Sequence, residues 1–306
     1  MRRAFLIAGA SATLLLVAPL AAQPECGTSA DLRLVDDKRS VEVLSVGQAL
    51  VFTSGLRVNT DGAPNSYHPK GMDAGALNTI CNAIAIKPRT GPFAGQRITA
   101  LDPKSLTGKQ RCQMILQTFD ASRDADFAIP PDAEIEWFAI ASHPPKDGKY
   151  RPCIQTSGPF AGFFVAQTSR AADPTKDICD PAHWISSTDI PYITLPGSRL
   201  KPKGVTPGDF ALVHRKHQGV DRIVVAVAAD TGNTNQVGEG SIALHKALGN
   251  EPADRLPNNI PAGVTTFVFP KRRAAQPISA STLAAERDAL ISAVGGETVV
   301  RSCGAS

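Results

Sequence analysis

The stretch Arg222-Ile223-Val224-Val225-Ala226-Val227-Ala228-Ala229-Asp230-Thr231-Gly232 decides how this chain folds. From Ile223 to Ala229 every side chain is apolar, which predicts a strand with both faces buried; Asp230 ends it abruptly. The polar loop Thr231-Gly232-Asn233-Thr234-Asn235-Gln236 leads to Val237-Gly238-Glu239-Gly240-Ser241. Ile242 to Leu248 then reads as a short helix stopped by Gly249. Upstream, Asp189 to Gly197 and Gly208 to Val213 are strands bounded by turns, as are Ile135 to Ala141 and Phe163 to Ala166. Residues 45–59 read as two strands, Leu50-Val51-Phe52 and Leu56-Arg57-Val58, parted by a turn at Ser54-Gly55. The stretch from about Lys87 to Pro131 differs in character. Met114, Leu116 and Phe119 have helical spacing there, so it reads as a helical insertion into a β-rich body. A last helix, about Ser281 to Val294, carries Leu283, Leu290, Ile291 and Val294 on one apolar stripe that packs on the body.

Composition agrees with this pattern. In 306 residues, 42% hydrophobic and 20% charged content excludes disorder, collagen and coiled coil, and 24 prolines favour loops and short strands over long helices. A formal charge of +4 lacks the clustered cations of a nucleic-acid binder. Met1-Arg2-Arg3, an apolar run from Ala4 to about Leu20 and Ala21-Ala22-Gln23 have the build of a secretory signal peptide, residues 1–22, with cleavage after Ala22. The expectation is one domain over 23–306, secreted or periplasmic, with no membrane association once the signal is removed.

All six cysteines, Cys26, Cys81, Cys112, Cys153, Cys179 and Cys303, lie beyond that signal, where an oxidising compartment favours three disulfides. Sequence leaves 15 pairings open. The economical set is Cys81 with Cys112, Cys153 with Cys179, and Cys26 with Cys303 tying the termini. No Cys-x-x-Cys or His-Glu-x-x-His spacing gathers ligands for a metal.

Asp230 and Glu239 are nine residues apart, about 30 Å in a fully extended chain. Gly232, Gly238 and Gly240 let the loop fold back and bring both carboxylates to one site. Such a pair is what glycoside hydrolysis needs, one acid for the leaving oxygen and one base or nucleophile on the other side.

Four segments carry a resemblance. Asn59-Thr60-Asp61-Gly62-Ala63-Pro64-Asn65-Ser66-Tyr67-His68-Pro69, Asp189 to Gly197, Gly208-Asp209-Phe210, and above all Ala229-Asp230-Thr231-Gly232 with Val237-Gly238-Glu239-Gly240-Ser241-Ile242-Ala243-Leu244 resemble glycoside hydrolase family 75, which contains secreted chitosanases. The likeness runs in patches from about Arg57 to Pro270, and leaves out the insertion and the C-terminal segment. It implies a small six-stranded β-barrel of double-psi type with short helices, here joined by a disulfide-bonded helical insertion. It also implies that Asp230 and Glu239 are the catalytic pair of an endo-acting, inverting enzyme. The slightly higher intrinsic pKa of Glu, and the ease of keeping a partly buried Glu protonated beside a second carboxylate, assign Glu239 as general acid and Asp230 as general base, with the reverse assignment left open. Asp61, His68, Tyr192 and Thr231 are expected in the substrate groove, and Trp137 and Trp184 are aromatic candidates for stacking on sugars. Asp73, Asp189 and Asp209 would add negative charge suited to a cationic amino-sugar polymer. The long insertion and Cys112, Cys153 and Cys179 depart from the family pattern, which leaves chitin-like polymers and peptidoglycan open as substrates. The expectation is a monomer acting on a β-1,4-linked polysaccharide, without metal, cofactor or nucleic acid; the alternative is a non-catalytic wall- or glycan-binding protein of the same fold. Gly238-Glu239-Gly240-Ser241-Ile242-Ala243 also fits a loose dinucleotide pattern, but no alternating β-α-β order surrounds it.

Overall fold

A computed structural model describes residues 26–232, 235–251 and 259–304. The proposed signal, 1–22, lies outside the described residues. Three strands open the fold: β1 (Thr28–Asp36), β2 (Arg39–Val46) and β3 (Ala49–Asn59). The middle section contains β4 (Ile84–Pro88), α1 (Gly108–Asp124), β5 (Ala133–Trp137), β6 (Ser142–Lys146) and β7 (Lys149–Pro152). The last section has β8 (Tyr192–Leu195), α2 (Gly197–Leu200), β9 (Asp209–His217), β10 (Val220–Thr231), β11 (Glu239–Ser241), α3 (Ile242–Ala247) and β12 (Ile260–Arg273). Helices α4 (Ala280–Ala284), α5 (Arg287–Ala293) and α6 (Glu297–Cys303) close it.

Six strands close on themselves in the order β3-β11-β8-β10-β9-β12, because β12 pairs with both β9 and β3. The result is a mixed six-stranded barrel with two parallel contacts, β3 with β11 and β8 with β10, as the fold-class expectation required. The hairpin β1-β2 continues the wall outward from β3. β10 explains why its sequence is apolar throughout. Ala226 and Ala228 enter one buried cluster, while Val225, Val227 and Ala229 enter the cluster on the other face of the wall. Its hairpin with β9 turns at Gln218-Gly219, both at positive φ, the two-residue turn whose twist suits paired strands.

The layer outside the barrel is built around α1, which starts on a capping box between Thr107 and Gln110. Ile115 and Phe119 of α1 share a core with Tyr67, Ile84, Ile135 and Phe164, so the segment 87–131 packs together with chain on both sides of it. The cysteines form three disulfides, Cys26–Cys303, Cys81–Cys112 and Cys153–Cys179. Cys81–Cys112 fastens α1 to this layer. No helix among the described residues is long and apolar enough to cross a membrane.

Three local expectations need correction. Ser54-Gly55 is no turn, since β3 runs through it unbroken. Glycine is needed there because β12 comes so close that a Cβ would lie 2.8 Å from the carbonyl oxygens of Ile260 and Pro261. Residues 163–166 join the fold through isolated bridges to Ile154 and Ile140 rather than through a ladder. The last helix is split into α4 and α5 at Ala285-Glu286, although Leu283, Leu290, Ile291 and Val294 all reach the same core.

Candidate active site

The site starts from a register irregularity. β10 pairs Ala228 with Ile193 of β8 but then Asp230 with Thr194, so Ala229 is an extra residue, a β-bulge. Its carbonyl leaves the ladder and accepts from the Arg170 backbone N–H at 2.9 Å. Because strand side chains alternate, an unbulged β10 would set Asp230 opposite Leu195, on the other face. The bulge puts Asp230 on the face of Thr194 and Tyr192. β11 meets the same strand from its other side and pairs Glu239 with Thr194. Asp230 and Glu239 therefore flank Thr194 on one face, their backbones two strand spacings apart, about 9.5 Å.

Asn59, at the end of β3, joins the pieces. Its Nδ2 donates to Thr194 Oγ1 at 3.0 Å and Asp230 Oδ2 at 3.4 Å, and its Oδ1 accepts from Tyr192 Oη at 2.8 Å. The backbone N–H of Asp61 also donates to Asn59 Oδ1, which brings a third carboxyl to the cluster. Tyr67 Oη donates to Asp61 Oδ1 at 2.5 Å. Asp230 Oδ1 accepts from the Ser169 hydroxyl at 2.6 Å and the Ser169 N–H at 3.1 Å. Ser169 Oγ also lies 2.9 Å from Thr231 Oγ1.

These surroundings push all three carboxyl pKa values up. Burial raises Asp61 well above the usual carboxylate range, and the nearby Asp230 charge raises it further against the hydrogen bond from Tyr67. Burial also raises Asp230, opposed by its hydrogen bonds from Ser169, Thr231 and Asn59, which favour the ionised form. For Glu239 burial again comes first, opposed by Arg57 and reinforced by Asp230, with Asn59 as its hydrogen-bond partner. Arg57 is largely engaged elsewhere, 2.9 Å from Asp37 and 3.6 Å from Asp36. Asp230 is thus the better stabilised anion and Glu239 the carboxyl with fewer bonds to its charge.

Asp61, Asp230, Thr231 and Glu239 line one open cleft of about 770 Å³, together with Arg57, Asn59, Asn78, Ser169 and Gln236. Two sequence-predicted residues stand elsewhere. His68 does not line the cleft; its ring packs edge-on against Phe163, and its Nδ1 accepts from the Lys70 N–H at 3.0 Å. Tyr192 is fully buried, so it cannot stack on a sugar, and its hydroxyl instead supports Asn59 and the Asp61 carbonyl. Trp137 is in the core beside α1 and Trp184 packs by the Cys153–Cys179 disulfide, neither in the cleft. Asp209 is buried and accepts from the Thr206 and Lys271 N–H groups, while Asp189 accepts from Ser186; neither lines the cleft, nor does Asp73.

Sequence reasoning overlooked Asn59, Tyr67 and Ser169 as supports of the carboxyl cluster. Asn59 and Tyr67 lie in the segment that bears Asp61, where polar residues at a strand end could have flagged them. Ser169 sits in a loop with no pattern around it. His143 lies near Cys153 and Cys179, but the two sulfurs are bonded to each other and so are not thiolate ligands. A scan against protein-family models and a search of curated proteins found no match to this chain.

Proposed function

We propose that the protein is an exported glycosidase that cleaves a β-1,4-linked amino-sugar polysaccharide, chitosan-like, by inversion. The observation that carries this reading is the placement of Asp230 and Glu239 on either side of Thr194, on one face and in one cleft. An inverting pair keeps its carboxyls about 6.5 to 9.5 Å apart to leave room for water, a separation open to side chains rooted two strand spacings apart on one face. Protonated Glu239 gives its proton to the glycosidic oxygen as the C1–O bond breaks. Asp230 takes a proton from the water whose oxygen bonds to C1 from the opposite face. Glu239 ends ionised and Asp230 protonated, and exchange with solvent restores both.

Asp37, Asp61, Asp102, Asp230 and Glu239 outnumber Arg57 and Arg97 in the lining, an excess of acidic groups that suits a polymer carrying free ammonium groups. Three disulfides support export to an oxidising compartment. The test is reducing-end release from chitosan by wild type, Asp230→Asn and Glu239→Gln. Release by wild type with a loss of at least about 100-fold in each variant supports the reading; full activity in either variant overturns it. Retention of the polymer without release by wild type would favour a glycan-binding protein instead.

A further inference from the structure

The acid pair accounts for the barrel side of the cleft but not for the residues that line it from the outer layer. Arg97, Leu101 and Asp102 come from the loop between β4 and α1, and Phe138 directly follows β5. Leu101 and Phe138 are 47% and 40% exposed. The neighbouring rings behave differently: Trp137, Phe119 and Phe164 pack edge to face inside the layer. Two large apolar side chains left open in the same polar cleft point to a ligand surface rather than to a folding need.

The Phe138 ring is also held in place. Its residue's carbonyl accepts from Gln167 Nε2 at 2.8 Å. The Arg97 guanidinium lies 5.6 Å from the ring centroid, and Glu136 holds that guanidinium at 2.6 and 2.9 Å. An aromatic ring beside one charged pair, Arg97 and Glu136, matches a pyranose, whose axial C–H groups form an apolar face and whose rim is polar.

We propose that Phe138, with Leu101, forms a sugar-ring subsite that binds a second residue of the polysaccharide away from the cleaved bond. The C–H face of that residue lies on Phe138, and Asp102 accepts from its hydroxyl or ammonium group. The proposal rests on reading the cleft as a glycan site. It gives the insertion a part: Leu101 and Asp102 come from the segment 87–131, while Phe138 follows β5 just beyond it.

Binding of a β-1,4-linked glucosamine hexasaccharide to the Glu239→Gln protein, measured by calorimetry, tests it. Phe138→Ala in that background should weaken binding about tenfold, whereas Phe138→Tyr should stay within about twofold and Val220→Ala, exposed outside the cleft, should change nothing. In the active protein Phe138→Ala should raise KM for the hexasaccharide with kcat nearly unchanged. Unchanged binding and KM in Phe138→Ala overturn the subsite and leave the acid pair standing. Failure of the Glu239→Gln protein to bind the hexasaccharide overturns the subsite, and if wild type also releases no reducing ends the glycosidase reading falls with it.

Discussion

The Asn59 amide serves the whole cluster: its Nδ2 donates to Thr194 and Asp230 and also supports Glu239, and its oxygen accepts from Tyr192 and the Asp61 N–H. Asn59→Ala would leave buried Thr194 and Tyr192 hydroxyls without this partner. A loss of about 1–3 kcal/mol is expected, read by denaturant unfolding. Ser169→Ala acts on chemistry instead. It removes the 2.6 Å bond to Asp230, so the Asp230 pKa rises and the acidic limb of the pH–rate profile moves to higher pH. Asp61 gives a stability prediction of opposite character. Its folded pKa is raised well above 3.8, so its contribution is intact below that value and is lost as pH rises through the folded pKa. Asp61→Asn should therefore stabilise the fold at pH 7, with the gain fading as pH falls toward 4, measured by thermal unfolding across pH. Such a gain is the expected pattern where like charges are crowded in a buried cluster. At this scale the sequence pointed to the carboxyls that share the cleft but not to their supports, because a hydrogen bond between residues 59 and 192 or 169 and 230 leaves no local pattern. Tyr192 was misjudged for a related reason: an aromatic at the start of a strand says nothing about which face it occupies.

Among the elements, β10 was the most legible, since a short apolar run rich in Ile and Val and bounded by polar residues favours a strand buried on both faces. Its bulge was not. Ala229 and Asp230 look the same in sequence whether or not the ladder slips by one residue, yet that slip decides which face Asp230 occupies. The apparent turn at Ser54-Gly55 shows the converse error, in which a glycine needed for close approach reads as one needed for bending. Gly238 faces the same place from β11's side. With φ at 82° and a Cβ that would lie 2.6 Å from the Gly55 carbonyl oxygen, it meets both strain and collision on substitution. Gly238→Ala should cost about 1–3 kcal/mol in thermal or denaturant unfolding. It should also lower kcat, because the residue leads directly into Glu239.

For the whole molecule, the barrel was legible as a class but its closure was not, since β12 joins β3 and β9 across more than 200 positions in sequence in the first case, as in the pairing of Val264 with Ser54. Disulfide number followed from counting cysteines, whereas their pairing was one option among several until the fold placed them. Removing Cys26–Cys303 by paired serine substitution should lower stability by about 2–5 kcal/mol, with loss of cooperativity visible in thermal unfolding. That bond joins residues 277 positions apart. It makes the segment between them a covalent ring, and a ring cut once is still one molecule. A protease that nicks an exposed loop of this protein releases no fragment; both halves stay tethered, and the barrel strands on either side of the nick can remain paired. Loss of a piece requires a second cut or a reductant, so the same clasp that steadies the fold also sets how damage accumulates in it.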